Sequence, residues 1–239
     1  MTTTGQVLAI LARLRREMNG AVSAAMKERG ISYNLNYGVS IPTIKEVAGQ
    51  YAPNHQLAEA LWRQDVRELK LAAVFIEDPA QMTPAQMEQW MDGSQTSELV
   101  EQMSMTLLWK VPGALKKSIE WINAGNYTTK GKESSEQVDK RRTAAFYIAG
   151  KLAGKINGTE NEKPFAPFID SLFRGVPGET SALFAIREIY KHYPSLRPEI
   201  NNVLKEYACD PSGAEFADEL QWQLDYITDS EKTGTKIPE

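Results

Sequence analysis

A concentration of basic residues in the middle of the sequence suggests phosphate binding, because lysine and arginine hold phosphate by charge and hydrogen bonds. Between Lys110 and Lys155 the chain has ten basic and four acidic residues, although its net charge is −4. The basic residues are Lys110, Lys116, Lys117, Lys130, Lys132, Lys140, Arg141, Arg142, Lys151 and Lys155. The alternative interpretation is that they form solvated helix faces, as runs of charge usually do.

Arginines at the start of one helical segment are the strongest candidates for contacts with phosphate. Arg141 and Arg142 begin the otherwise apolar stretch RRTAAFYIAGKLAGKI, which also contains Lys151. Lys140 precedes them, and Lys110 lies in an earlier segment. The N-terminal half of such a helix can offer arginines to phosphate. For Arg142 the alternative is a salt bridge to Glu136 or Asp139 nearby.

The composition excludes several other classes of site. His55 and His192 are far apart and Cys209 is the only cysteine, so the sequence has no metal-ligand spacing and no internal disulfide. Cys209 is expected to be buried, as free cysteines often are. We find no glycine-rich phosphate loop and no Ser-His-Asp order, and we expect neither a metal nor a cofactor.

The bulk properties are those of a folded, soluble protein, with 42% hydrophobic and 24% charged residues. No run approaches the ~18 apolar residues of a membrane span. The N-terminal stretch MTTTGQVLAILARLRREMNG lacks the features of a signal peptide. We therefore expect a cytoplasmic protein without a membrane partner, and we expect it to be monomeric.

The elements that must position these residues are predicted to be helices. Pro42 stands at a helix start in SIPTIKEVAGQY, where its missing N–H costs nothing. In TPAQMEQWMDG, Thr83 and Gln86 form a reciprocal capping box, and Gly93 ends the helix. The stretch SYNLNYGVS is predicted to be a loop. The tryptophans predicted to pack in the core or between repeats are Trp62, Trp109, Trp121 and Trp222.

About twelve such helices, joined by short turns, predict an all-α fold. Short amphipathic helices cannot bury their apolar faces alone, so we expect helical hairpins stacked side by side. The loose period of ~35–45 residues is typical of a HEAT-like helical-repeat superhelix, an α-α solenoid with a concave groove. We predict a single domain over residues 1–229 and a flexible tail over residues 230–239.

Three stretches resemble the AlkD-like DNA alkylation repair family. YGVSIPTIKEVAGQY (Tyr37–Tyr51) is similar to the family's Gly-Val-X-X-Pro phrase, and LAEALWRQDVRELKLAAVFI (Leu57–Ile76) to its helix pair with Leu-Trp and Ala-Ala. DKRRTAAFYIAGKL (Asp139–Leu152) resembles its helix containing Arg-X-Ala. The similarity runs, with gaps, from about residue 30 to residue 205, and its specificity lies in the order and spacing of the motifs.

The resemblance implies a HEAT-like superhelix that holds duplex DNA on a basic concave face. In active members it implies removal of bulky cationic alkylated purines without base flipping. The transition state places positive charge on the deoxyribose, so a fixed carboxylate stabilises it. Tryptophan faces hold the cationic sugar and base, and an arginine holds the backbone phosphate.

Aligned residue by residue, this chain keeps little of the family's site. The catalytic aspartate of the family aligns with Ser97, which has no negative charge, and the tryptophan four residues earlier falls on Gly93. A second family tryptophan falls near Glu188. The family's phosphate-holding arginine matches Arg142, so one position of four is retained.

A shifted alignment offers an alternative for catalysis. With a short insertion, Trp90 and Asp92 stand for the Trp-Asp dipeptide that precedes the catalytic aspartate, and they become the candidate catalytic residues. Otherwise Trp90 packs in the core at helical spacing with Met87, and Asp92 is an exposed acid at a helix end. Glu98 is expected to interact with the positive end of a helix dipole.

Three functions remain open from the sequence. The first, which we favour, is a DNA-binding protein of this family that holds duplex DNA, with weak or absent N-glycosylase activity. The second is an active 3-/7-alkylpurine DNA glycosylase with relocated catalytic residues. The third is a protein-interaction scaffold that no longer binds DNA, which the acidic remainder of the chain would suit.

Overall fold

The computed structural model describes residues 1–124, 135–156, 164–172, 179–209 and 213–234. Lys130, Lys132 and the last five residues of the predicted tail lie outside the described residues. The described part of the chain contains thirteen α-helices and no β-strand, so the prediction of an all-α fold is confirmed. None of these helices combines the length and apolarity that crossing a membrane requires.

The chain divides into two compact units, Met1–Ala114 and Leu115–Glu239. The helices of the first unit are α1 (Thr3–Arg15), α2 (Gly20–Glu28), α3 (Ile41–Gly49), α4 (His55–Trp62), α5 (Arg67–Ile76), α6 (Pro84–Asp92) and α7 (Ser97–Thr106). Those that follow are α8 (Ala114–Ala124), α9 (Ser135–Ala153), α10 (Ala166–Leu172), α11 (Glu179–His192), α12 (Arg197–Ala208) and α13 (Ala214–Thr233). The extent of one domain over residues 1–229 stays a prediction.

Local capping explains where several helices begin. The Ser40 side chain accepts a hydrogen bond from the Thr43 amide at the start of α3, and Pro42 occupies the first turn as predicted. Asn19 caps α2 by accepting from the Val22 amide. Helix α2 buries no side chain, so no clear apolar stripe marks it as a helix in the sequence. It is the one helix that the prediction of about twelve missed.

The predicted capping box of α6 is half right. Thr83 Oγ1 accepts from the Gln86 amide at 3.2 Å, as expected. The Gln86 side chain does not return to Thr83, because it donates instead to the carboxylates of Glu59 at 2.7 Å and Glu77 at 3.3 Å. Gly93 ends the helix with an ordinary right-handed backbone, φ −78°.

Helix α5 is the centre of the first unit, where it packs against α3, α4 and α7. Nine of its ten residues are buried, including Arg67, Glu68 and Lys70. Charges inside a core need partners there, and these partners build one of the clusters described below. In the second unit α9 packs along α11, and α13 packs against both α11 and α12.

Two residues predicted to be buried are exposed. Trp222 on α13 is 68% exposed, because the buried stripe of that helix is completed without it. The stripe consists of Phe216, Leu220, Leu224 and Ile227. Cys209, directly after α12, is also exposed. The prediction was right for Trp62 and Trp121, which are both buried.

Candidate nucleic-acid interface

The close approach of α9 and α11 depends on a glycine. A Cβ atom at Gly150 would lie 2.5 Å from Phe184 Cε1 and 3.0 Å from Ala185 Cα. Because side-chain carbons do not approach that closely, only glycine fits here. Gly154, just beyond the end of α9, meets His192 in a similar way at 3.0 Å. The Phe184 ring therefore lies against the backbone of α9.

Two cations flank the Phe184 ring. Lys151 Nζ lies 5.9 Å from the ring centroid, and Arg187 Cζ lies 5.7 Å from it. Both distances fall within the range of cation–π interactions. Phe184, Arg187 and Lys191 recur at three- and four-residue spacing along α11, so they lie on one face. The residues Lys151, Phe184, Arg187 and Lys191 are called the α9–α11 surface below.

One carboxylate reduces the positive charge of this surface without cancelling it. Arg187 donates to Glu188 Oε1 through Nε at 3.1 Å and Nη2 at 2.8 Å. Its side chain nevertheless remains 40% exposed. His192 Nε2 lies 3.7 Å from Glu188, and burial lowers the pKa of His192 although the charge of Glu188 opposes this change. Among the described residues no carboxylate forms an ion pair with Lys151 or Lys191, so Glu188 offsets the charge of Arg187 alone.

The four predicted phosphate contacts on α9 do not share one side of the helix. Lys140 and Lys151 are eleven residues apart, which is close to three turns, so they lie on the same side. Arg142 is nine residues from Lys151 and lies on the opposite side, where Nη2 donates to the Ser171 carbonyl at 3.2 Å. Arg141 is buried, with 8% exposure. Nucleic-acid binding by each of these residues stays a prediction.

Lys110, the fifth predicted contact, belongs to the first unit. It ends a 3₁₀ turn after α7, and its Nζ lies 5.4 Å from the centroid of the Trp109 ring. With Lys45 it borders a small cleft at the C-terminal ends of α5 and α7. Contact of Lys110 with nucleic acid stays a prediction.

The candidate catalytic pair lies at the end of α6. Trp90 is fully buried and stacks on Trp62, with ring centroids 4.3 Å apart and an interplanar angle of 3°. Its Nε1 donates to Glu59 at 3.3 Å. The indole therefore packs in the core, and a catalytic role for Trp90 stays a prediction. Asp92 is exposed, and a catalytic role for it stays a prediction.

A buried arginine that the sequence did not single out organises the N-terminal ends of α5 and α7. Arg67 donates to both Glu98 oxygens, at 2.6 and 2.8 Å, and also to Glu68 and to the Val39 carbonyl. Burial opposes the charge of Arg67, but the bonds and charges of the two glutamates outweigh it and raise its pKa. Burial also raises the pKa of Tyr33, whose hydroxyl donates to Glu98.

Glu68 and Arg67 fix the backbone of the loop over residues 31–40. Glu68 accepts from the amides of Tyr37 at 3.1 Å and Val39 at 3.3 Å, and the Arg67 amide donates to the Leu35 carbonyl at 2.9 Å. The loop predicted for this stretch is confirmed. The loop backbone is therefore fixed by hydrogen bonds to the charged side chains of α5 and not by the regular hydrogen bonds of a helix or sheet.

An exposed aspartate beside this loop was also missed. Asp65 accepts from Asn34 Nδ2 at 2.5 Å and from Gln95 Nε2 at 2.9 Å. These two bonds, with that of Asn34 the larger, lower the pKa of Asp65. Gln95 lies two residues before Ser97, so this oriented carboxylate is close in structure to the α7 start. A contact between residues 30 positions apart leaves no local signal in the sequence.

A second buried polar cluster joins α4 to α6. Burial raises the pKa of Glu77, and the His55 ring, with Nδ1 2.7 Å from Oε1, opposes that rise. Gln86 bridges Glu77 and Glu59. Since every carboxylate oxygen in this cluster has a partner, the arrangement fits a structural role. The described residues include no group of three or more histidine, cysteine, aspartate or glutamate side chains placed to hold a metal ion.

The sequence matches a protein family over just over half of its 239 residues. The family model of the DNA alkylation repair enzymes matches residues 10–130. This chain belongs to the DNA alkylation repair enzyme family. The resemblance found in the sequence is therefore confirmed. The α9–α11 surface lies outside the matched range, so it is a feature that the structure adds to the family match.

A solved structure is similar to this member of the DNA alkylation repair family over nearly its whole length. It is described as representing a new family of proteins related to the HEAT-like repeat DNA glycosylases, with affinity for branched DNA structures. The TM-score is 0.72 at 16% identity, and the match covers 91% of this chain and 93% of the other. This likeness confirms the HEAT-like fold. Among curated proteins the sequence has no match.

Three of the four positions that align with the family's site hold residues of a different type. Ser97 is the exposed first residue of α7. At Gly93, a Cβ atom would lie 3.3 Å from Trp62 Nε1, so this position lies against the tryptophan stack. Glu188 pairs with Arg187, and Arg142 matches in type but donates to the end of α10. None of these positions carries an indole or a free carboxylate.

Proposed function

We propose that this member of the DNA alkylation repair family binds DNA through the sugar–phosphate backbone, with weak or absent N-glycosylase activity. The α9–α11 surface carries the proposal. It offers two cations beside a half-buried aromatic ring and a third cation on the same helix face. Cations neutralise phosphates, and an aromatic ring can stack on an unpaired base.

The family and the fold support a nucleic-acid partner. Affinity for branched DNA is a property of the structurally similar protein, and we extend it to this chain as part of the proposal. A branch point interrupts the stacking of base pairs, and the base faces exposed there can contact the exposed part of the Phe184 ring. Holding of duplex DNA on a concave face, a monomeric state and a cytoplasmic location belong to the same proposal.

Binding can be measured directly by fluorescence anisotropy with a labelled duplex and a labelled four-way junction. We expect both to bind at ~50 mM salt, the junction more tightly, and both affinities to fall steeply at ~200 mM salt because counterions are released. Absence of binding at ~50 mM salt with micromolar protein would contradict the proposal. Binding that is independent of salt would contradict the assignment to backbone phosphates.

The expectation of weak catalysis rests on the side chains at the aligned positions. Ser97 and Gly93 supply neither the carboxylate nor the indole that stabilises positive charge on the sugar. We expect 7-methylguanine to leave methylated DNA at the spontaneous rate in the presence of the protein. Faster release that is lost in Asp92→Asn would instead establish the alternative, a glycosylase with relocated residues.

A further inference from the structure

The last helix presents two large aromatic side chains to solvent. Trp222 is 68% exposed and Tyr226, one turn later, is 47% exposed. They are not needed for the packing of α13, whose buried side is complete without them. Exposed aromatic residues this close together are typical of sites that another molecule covers.

The opposite side of α13 fixes the helix, so the aromatic residues project from a rigid element. Leu220 and Leu224 are buried, and the Phe216 ring lies 5.7 Å from that of Tyr207. At the C-terminal end, Arg197 donates to both Glu231 oxygens, at 2.7 and 3.0 Å. A surface on a rigid helix needs little ordering when a partner binds.

Carboxylates surround the aromatic pair on the same face. Relative to Trp222, Asp218 and Glu219 lie four and three residues earlier, and Asp225 and Tyr226 three and four residues later, which are the neighbouring positions on a helix surface. The outer face of α13 is defined by Glu215, Asp218, Glu219, Trp222, Asp225, Tyr226 and Asp229, all of them exposed.

Within the part of the chain that the structure describes, two of the carboxylates nearest the tryptophan are paired with side-chain amides and not with cations. Asp225 accepts from Gln221 and Glu219 from Gln223, while Asp229 pairs with Lys232. Among the described residues no lysine or arginine forms an ion pair with Asp218, Glu219 or Asp225. The outer face therefore combines unneutralised negative charge with exposed aromatic area.

We infer that the outer face of α13 is a docking site for an arginine-bearing α-helix of another protein. A guanidinium group can stack on the Trp222 ring and pair with a flanking carboxylate at the same time. The face from Glu215 to Asp229 is about 21 Å long, which is the length of a helix of about fourteen residues. The same charges repel nucleic acid. Pairing of two outer faces would set carboxylates against carboxylates, so a second copy fits poorly.

The inference can be tested with two synthetic amphipathic peptides that differ only in having arginine or glutamate along one helical face. We expect the full chain to bind the arginine peptide and not the glutamate peptide in isothermal titration. Because hot-spot residues carry most of the energy of an interface, affinity should fall at least about tenfold in Trp222→Ala and in Asp225→Lys. Glu46→Lys, an exposed reversal on α3, serves as the control and should change affinity less than about threefold.

Two further measurements separate this site from its alternatives. Trp222→Ala should leave the melting temperature and the affinity for duplex DNA unchanged, because the side chain is exposed and lies on an acidic face. Equal loss of peptide binding in Glu46→Lys and Asp225→Lys would overturn the inference by showing a nonspecific charge effect. Loss of DNA affinity in Trp222→Ala would also overturn the inference. A wild-type dimer in sedimentation that dissociates in Trp222→Ala would overturn it as well, because the outer face would then bind a second copy.

Discussion

The two units use positive charge in opposite ways. In the first unit, Arg67 is buried and donates to two glutamates and a backbone carbonyl, so its charge is consumed in holding a loop to α5 and α7. In the second unit, Lys151 and Arg187 lie beside an aromatic ring, with Arg187 still partly exposed. The difference shows that a basic residue becomes a candidate for phosphate only when its burial and partners are known.

The comparison predicts a large stability effect in the first unit. Arg67→Met should lower the free energy of unfolding by about 3–5 kcal/mol, because it leaves Glu68 and Glu98 without their cation. Arg63→Met is the control: this side chain is 74% exposed and pairs with Glu59 at the surface, so its loss should cost about 0–1 kcal/mol. Urea denaturation measures both. Equal losses of unfolding free energy in the two variants would contradict the claim that the buried arginine contributes more to stability than the exposed one.

The geometry of the α9–α11 surface predicts an intermediate effect at one glycine. Gly150→Ala should cost about 1–3 kcal/mol, because the new Cβ forces Phe184 and α11 away from α9. Gly49→Ala is the control, since it ends α3 with nothing within 4 Å; there alanine should stabilise by up to about 1 kcal/mol. Thermal unfolding compares the two, and tolerance of alanine at Gly150 would mean that the helices are not in close contact.

The smallest predicted effect concerns Asp65. Its pKa is lowered by Asn34 and Gln95, so its contribution is present above the ordinary aspartate pKa and is lost as the pH falls through the folded-state pKa. At pH 7 the wild type should be more stable than Asp65→Asn by less than about 1 kcal/mol. The difference should begin to shrink below about pH 4 and should vanish once the pH is below the folded-state pKa. A difference that stays constant with pH in urea titrations would show that ionisation of Asp65 is irrelevant.

The fold was largely predictable because helices carry local signals. Pro42 and the Thr83 cap mark helix starts in the sequence, and both lie where they were expected. The exposure of Trp222 could also have been predicted from the sequence. Phe216, Leu220, Leu224 and Ile227 complete one stripe, and Trp222 falls outside it by helix geometry.

The candidate sites were harder to predict because they depend on contacts between distant residues. The pairing of Arg67 with Glu98 spans 31 positions, so nothing local marks either residue as buried. Arg142 matched the family's arginine in type, yet its partner is a carbonyl on α10. Phe184 becomes a candidate only when Gly150 brings α9 against it.

DNA binding by the α9–α11 surface is tested by the salt dependence of binding in the double variant Lys151→Gln/Arg187→Gln, with Lys232→Gln as the control on α13. Each lost phosphate contact should weaken binding about tenfold, because a hydrogen bond to a charged group contributes about 1.5 kcal/mol. The slope of log affinity against log salt should become shallower by about two in the double variant and stay unchanged in the control. A wild-type slope in the double variant would contradict the assignment of DNA binding to the α9–α11 surface.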